Sequence, residues 1–143
     1  NSLIVAEFSQ VETATTMQPL LRFILERRAW EGYWLRVEHW DTATQTLRET
    51  GTGYLTEADL GSATPIWLEF TWRAGNFGLA DGQFGLYELD AAGARLNPPL
   101  VERADLNTAG QGLASVRFGA LNPLPPSIVG SLSLDEIELW REE

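Results

Sequence analysis

Two kinds of residue cluster in this chain have the types and spacing to do chemistry. In "DEIELWREE", residues 135–143, Glu136 and Glu138 stand two apart, a spacing that places both carboxylates on one face of an extended strand. Glycoside hydrolysis needs a carboxyl pair of this kind, about 5–9 Å apart across the sugar bond. In "GYWLRVEHW" (32–40) and "PIWLEFTWR" (65–73), indoles alternate with Arg and Glu. Sugar rings stack on indole faces while charged planar groups satisfy the hydroxyls. Trp34, Arg36, Glu38 and Trp40, with Trp67 and Arg73, therefore form a candidate ligand patch, provided the two strands lie in one sheet. The competing reading has these indoles packing under a loop or against a neighbouring chain.

Most other chemistry is excluded by what the chain lacks. Among its 143 residues there is no Cys and one His, so no thiolate nucleophile, no disulfide and no multi-histidine metal site can form. All ten cations are arginines, which removes Schiff-base and P-loop lysine chemistry. No G-x-S-x-G elbow occurs, and a hydroxyl triad would have only His39 as base. His39, between Glu38 and Trp40, reads as a surface or half-buried structural residue. "GTG" (51–53) and "GQG" (110–112) lack the glycine spacing and downstream helix of a nucleotide cradle and read as turns or bulges. The net charge of −10 repels phosphate backbones and anionic lipid heads, so no nucleic acid partner is expected. No apolar stretch approaches the ~20 residues that span a bilayer, so no membrane insertion is expected either. No enzymatic activity is expected.

The elements that must position these residues are strands. Glycines (13) and prolines (7) punctuate the chain, and between them lie nine runs with two-residue alternation: 2–8, 19–28, 32–40, 46–55, 65–73, 83–89, 99–104, 113–120 and 130–141. Leu20, Leu21, Ile24, Leu25 and Arg28 also fit one face of a helix starting at Pro19, the single helical alternative. Turn chemistry separates the runs at Asp41–Thr46, at Gly61-Ser62 before Pro65, at Ala91-Ala92-Gly93 after Asp90, and at Asn122-Pro123-Leu124-Pro125-Pro126. "ADG" at 80–82 reads as a turn, with Asp81 in an Asx-type role and Gly82 at positive φ. Alternation assigns Tyr33, Leu35 and Val37, and likewise Ile66, Leu68, Phe70 and Trp72, to the core. It leaves Trp34, Arg36, Glu38, Trp40, Trp67, Glu69, Thr71 and Arg73 on solvated or partner-facing surfaces. One all-β domain, residues 1–143, long enough to bury a real core, is the economical reading.

Three stretches in order carry a resemblance: "PIWLEFTWRAGNFGLADGQFGLYEL", "SVRFGAL" (115–121) and "GSLSLDEIELW" (130–140). Together they resemble bacterial secreted domains of the concanavalin A-like lectin and glucanase superfamily, the laminin-G-like jelly rolls, over residues 19–141. The resemblance implies a two-sheet antiparallel β-sandwich of jelly-roll type, exported to the cell surface or beyond, with Asp81-Gly82 and Asp135 at structural corners. It supplies no catalytic residue: the third acid of the glucanase pattern should follow Glu138 by two or three residues, and here Glu142 follows by four. No cofactor is expected. Calcium, common in the superfamily, is left open, with Asp81, Asp90 and Asp135 near turns but in no D-x-D-x-D loop. Domains of this kind carry further strands ahead of the point where "SLIVAEF" falls, so the chain is expected to begin inside the fold and to leave a sheet edge open.

The expected function is a non-catalytic extracellular carbohydrate-binding or adhesion module whose partner is a glycan. The alternative is a structural subunit of a surface assembly whose partner is a neighbouring chain. In that alternative, residues 2–8 are donated as a strand to the open edge, giving a homo-oligomer.

Overall fold

Alternation in the run at 32–41 sets the pattern for the molecule: Leu35 and Val37 are buried, Tyr33 packs against the same core, and Trp34, Arg36, Glu38 and Trp40 lie partly covered on the opposite face. The computed structural model is described over residues 2–28, 32–55 and 66–121. Within them are eight strands and no helix: β1 (Ser2–Val11), β2 (Met17–Arg28), β3 (Gly32–Asp41), β4 (Thr46–Leu55), β5 (Trp67–Arg73), β6 (Gly82–Leu89), β7 (Val101–Leu106) and β8 (Ser115–Phe118). Each overlaps one of the first eight expected runs, with β1 extending three residues further and β7 shifted by two. The ninth run, 130–141, and the turns at 61–65 and 122–126 lie outside the described residues.

The strands form two antiparallel sheets, one ordered β4-β3-β2-β1-β8 and one ordered β5-β6-β7. The architecture is a β-sandwich. The five-stranded sheet contributes Ala6, Phe8, Leu21, Phe23, Leu35, Val37 and Leu55 to the core, and the three-stranded sheet contributes Phe84, Leu86, Val101 and Leu106. Phe8 stands at the junction, with ring contacts to Phe23, Phe70 and Phe118 at 5.7, 4.8 and 5.9 Å. Burying an aromatic or aliphatic side chain of this size contributes about 1.5–3 kcal/mol, and this shared core holds the sheets together.

The helical alternative at 19–28 fails because β2 is a central strand, hydrogen-bonded to β1 on one side and β3 on the other. Its apolar residues do not alternate cleanly because a register shift opposite Phe8 and Ser9 inserts Leu20 as an extra residue, and Leu20 and Leu21 are both fully buried. Another bulge adds Thr50 to β4 between the Val37–Gly51 and Glu38–Glu49 pairs.

Several glycines are placed by close approach between elements. Gly51 and Gly53 are strand residues of β4, where a Cβ would come within 2.6 Å of Val101 and 2.8 Å of Leu100 across the sheet gap, so "GTG" is neither a turn nor the bulge itself. Gly82 does not take positive φ as the turn reading expects. Instead, a Cβ there would lie 2.1 Å from Thr108 Oγ1 and 2.8 Å from the Leu106 carbonyl oxygen. The positive φ belongs to Gly78, four residues earlier, inside a turn closed by the Leu79 N–H donating to the Asn76 carbonyl at 3.1 Å.

Two further expectations are corrected. Leu68 is not a core residue: it is 41% exposed, whereas Phe70 and Trp72 on the same side of β5 pack against the core. Leu68 pairs with Glu88 near the end of the three-stranded sheet, beyond the reach of the aromatic cluster. The segment 2–8 is also not a free donor strand. β1 is interior to its own sheet, paired with β2 along one side and with β8 along the other.

Candidate functional site

The inward face of β3 continues past Val37 to His39 and Asp41, and both are buried. His39 is 5% exposed, contrary to the surface or half-buried role expected of it, because it occupies the next inward position after Val37. Its Nδ1 lies 3.0 Å from Oγ1 of Thr50, the residue that the β4 bulge adds. Nothing in the local sequence marks this contact, since the bulge alone brings the hydroxyl inward.

Asp41, 2% exposed, is bound by the turn that follows it. Its Oδ1 accepts the N–H groups of Ala43 and Thr44 at 2.8 and 2.9 Å, and its Oδ2 accepts Arg48 Nη1 at 3.2 Å. Burial alone would raise the Asp41 pKa, but these donors outweigh it and hold the carboxyl below its ordinary value. His39 is pushed below its ordinary value, chiefly by burial. The nearby cations Arg103 and Arg48 push the same way, against the carboxylates of Asp41 and Asp105.

On the facing sheet, β7 sets Arg103 and Asp105 two residues apart, so both point to one side. They form a bidentate pair, Nε to Oδ1 at 2.7 Å and Nη2 to Oδ2 at 2.8 Å, which lowers the Asp105 pKa and raises that of Arg103. Arg103 Nη1 also donates to the Thr50 carbonyl at 3.4 Å, tying the sheets together where β4 and β7 meet. Between them lies a cleft of about 280 Å³ lined by His39, Asp41, Arg48, Glu49, Arg103, Asp105, Leu106 and Asn107. It is walled almost wholly by groups that hydrogen-bond in a plane.

The residues expected to form one aromatic patch are divided between the sheets. Trp34, Arg36, Glu38 and Trp40 are on the outer face of β3, in the five-stranded sheet, and Trp67 and Arg73 are on β5, in the other. The condition that both strands share a sheet is not met, so the six residues do not form one surface. Trp34 is also covered: the Arg28 guanidinium stands 4.7 Å above its ring and Tyr54 meets it edge-on at 5.1 Å. Arg36 is engaged by Glu26 at 2.8 Å and by Glu38. Trp34 and Arg36 are thus engaged by side chains of β2, β3 and β4 in their own sheet, not by a covering loop. Trp67 is 38% exposed, and its neighbours on the same face are Tyr87, under the Arg95 guanidinium at 4.2 Å, and Glu69, held bidentately by Arg95 at 2.7 and 2.8 Å.

The outer face of the five-stranded sheet also carries a row of opposite charges that pairing brings into line: Arg117, Glu7, Arg22 and Glu38 are successive partners on β8, β1, β2 and β3. Glu7, 5% exposed, accepts Arg22 Nε at 2.7 Å and Arg117 Nη2. Burial opposes its charge, but these two arginines overcome that and leave its pKa below the ordinary value.

Two of the three carboxylates left open for calcium, Asp81 and Asp90, are each engaged in their own turns. Asp81 uses both oxygens to hold Asn76, through the backbone N–H and Nδ2, each at 2.7 Å. Asp90 Oδ1 accepts the N–H groups of Ala92 and Ala94. The two aspartates flank the ends of β6, about 30 Å apart at strand rise, too far to share an ion. Among the described residues no group of three or more His, Asp and Glu side chains could hold a metal. Asp135, Glu136, Glu138 and Glu142 lie outside the described residues.

No family model, curated protein or solved structure matches the chain.

Proposed function

We propose that this protein is a non-catalytic, extracellular carbohydrate-binding or adhesion module of the jelly-roll type, and that it takes its glycan in the cleft between β3–β4 and β7. The observation that carries the reading is the convergence of Arg48, Glu49, Arg103, Asp105 and Asn107 on one concave opening of about 280 Å³. Fixed planar donors and acceptors suit the vicinal hydroxyls of a sugar, each of which both donates and accepts. Neither aspartate of the cleft is held in the protonated form that an acid catalyst uses. Glycoside cleavage needs a carboxyl group kept protonated, and the environments of Asp41 and Asp105 instead favour their charged forms, while that of His39 favours its neutral form.

A glycan array followed by titration of the retained sugars tests this. Arg103→Ala and Asp105→Ala each weaken binding more than about tenfold, and Trp34→Ala leaves it within a few-fold. Retention that survives both cleft changes moves the site elsewhere. Failure of the intact protein to retain any glycan removes the function, and release of reducing sugar from a retained glycan removes the non-catalytic assignment.

A further inference from the structure

His39 is the one described group of the cleft whose charge ordinarily changes between pH 5 and 8, and its two ring nitrogens have different surroundings. Nδ1 is held by Thr50 Oγ1 at 3.0 Å. Nε2 has no hydrogen-bond partner among the described residues and is not sealed from solvent, so it opens on the cleft that the ring lines. The ring is also fixed in place. Its cross-strand neighbours are Leu21 of β2, fully buried and uncharged, and Arg48 of β4, and the contact with Thr50 sets its rotation.

The charged groups around it come from three strands. Asp41 follows two residues along β3, Arg48 and Glu49 come from β4, and Arg103 and Asp105 face them from β7. Each guanidinium is already set against a carboxylate, Arg48 on Asp41 at 3.2 Å and Arg103 bidentately on Asp105. Glu49 makes no ion pair among the described residues, and its Oε1 accepts Thr52 Oγ1 at 2.7 Å. With His39 neutral, the described lining therefore holds three carboxylates against two guanidiniums, a surplus of one negative charge. An acidic sugar meets this surplus and finds both guanidiniums already neutralised, whereas an uncharged sugar meets no such opposition.

Protonation of the ring changes both conditions. The surplus is cancelled, and an imidazolium donates from both nitrogens, so Nδ1 keeps Thr50 Oγ1 as its acceptor while Nε2 becomes a charged donor at the cleft surface. A sugar carboxylate there accepts a charge-assisted hydrogen bond that a hydroxyl cannot match. Burial holds the His39 pKa below its ordinary 6.5, which places the change on the acidic side of neutrality. We propose, on the reading that this cleft takes a glycan, that it selects uncharged sugars at neutral pH and admits acidic ones, uronic or sialic acids, once His39 is protonated, with Nε2 donating to the sugar carboxylate.

An array that sets acidic glycans beside matched neutral forms, galacturonans beside their methyl esters and sialylated chains beside desialylated ones, tests this when read at about pH 7.5 and about pH 5. Neutral members are expected to be retained at both, and acidic members to gain about tenfold toward the lower pH. The single histidine of the chain gives one set of ring resonances, so its titration is followed by NMR in the intact protein. By reciprocity, a retained acidic glycan raises the His39 midpoint by about one pH unit and its neutral counterpart leaves it in place. His39→Gln, its fold checked by the thermal transition, loses the gain toward low pH. The proposal is overturned by acidic glycans that bind as tightly at the higher pH as at the lower, by retention of neutral glycans alone at both, or by a His39 midpoint that no acidic glycan moves. Retention of no glycan at either pH instead removes the glycan reading of the cleft, and this proposal with it.

Discussion

His39 Nδ1 and Thr50 Oγ1 meet at 3.0 Å inside the sandwich, and the same Thr50 offers its carbonyl oxygen to Arg103 of the facing sheet. One bulged residue thus joins the only histidine to the contact between the sheets, and that makes the fold sensitive to histidine protonation.

The folded environment lowers the His39 pKa from its ordinary 6.5, mainly by burial. The unfolded chain therefore binds the proton at a higher pH than the folded one. The histidine's contribution to stability is complete above about pH 6.5 and declines as pH falls through the folded value, with a slope of at most about 1.4 kcal/mol per pH unit. Urea unfolding across pH 5–8 shows this dependence, and His39→Gln flattens it. An equal slope in the variant would place the titration elsewhere.

Glu7 and Asp41 give a second, more acidic step. Both have folded pKa values below their ordinary 4.5 and 3.8, so the stability they contribute is present above those values and lost as pH falls through the folded ones. Glu7→Gln removes the charge between Arg22 and Arg117 and costs about 1–3 kcal/mol at pH 7, less than for a fully buried pair because both arginines retain contact with water. The loss shrinks toward pH 3, measurable as convergence of the two urea midpoints.

Gly82→Ala costs about 1–3 kcal/mol, since its Cβ would lie 2.1 Å from Thr108 Oγ1 and 2.8 Å from the Leu106 carbonyl oxygen. Removing the hydroxyl in a Gly82→Ala, Thr108→Ala double variant relieves only the first contact. Thermal melts of the two singles and the double are therefore expected to show positive but incomplete coupling.

Phe8→Ala costs about 3–5 kcal/mol because it empties the site where Phe23, Phe70 and Phe118 converge. Leu68→Ala, on the exposed part of β5, costs well under half as much, although alternation assigns Leu68 to the core.

The positions of the eight described strands were legible because alternation is a local property: side chains two residues apart share a face wherever the strand lies. That reading placed Leu35, Val37, Phe70 and Trp72 on the core side correctly. It failed at Leu68 and could not foresee the bulges at Leu20 and Thr50, because a bulge depends on the register of a partner strand far away in sequence.

The sequence by itself determined the eight described strands, most of their inward faces and the absence of thiol, lysine and multi-histidine chemistry, all of which follow from residue type and near-neighbour spacing. Only the tertiary structure decided which strands share a sheet. That sent Trp34 and Trp67 to different sheets, put β1 between two partners, and brought His39 and Arg103 to one cleft across sixty-four positions of chain. The physical reason is that strand pairing is a choice among long-range hydrogen-bonding partners. Every strand offers the same backbone groups, so the choice falls to the packing of side chains that meet only when the two sheets close.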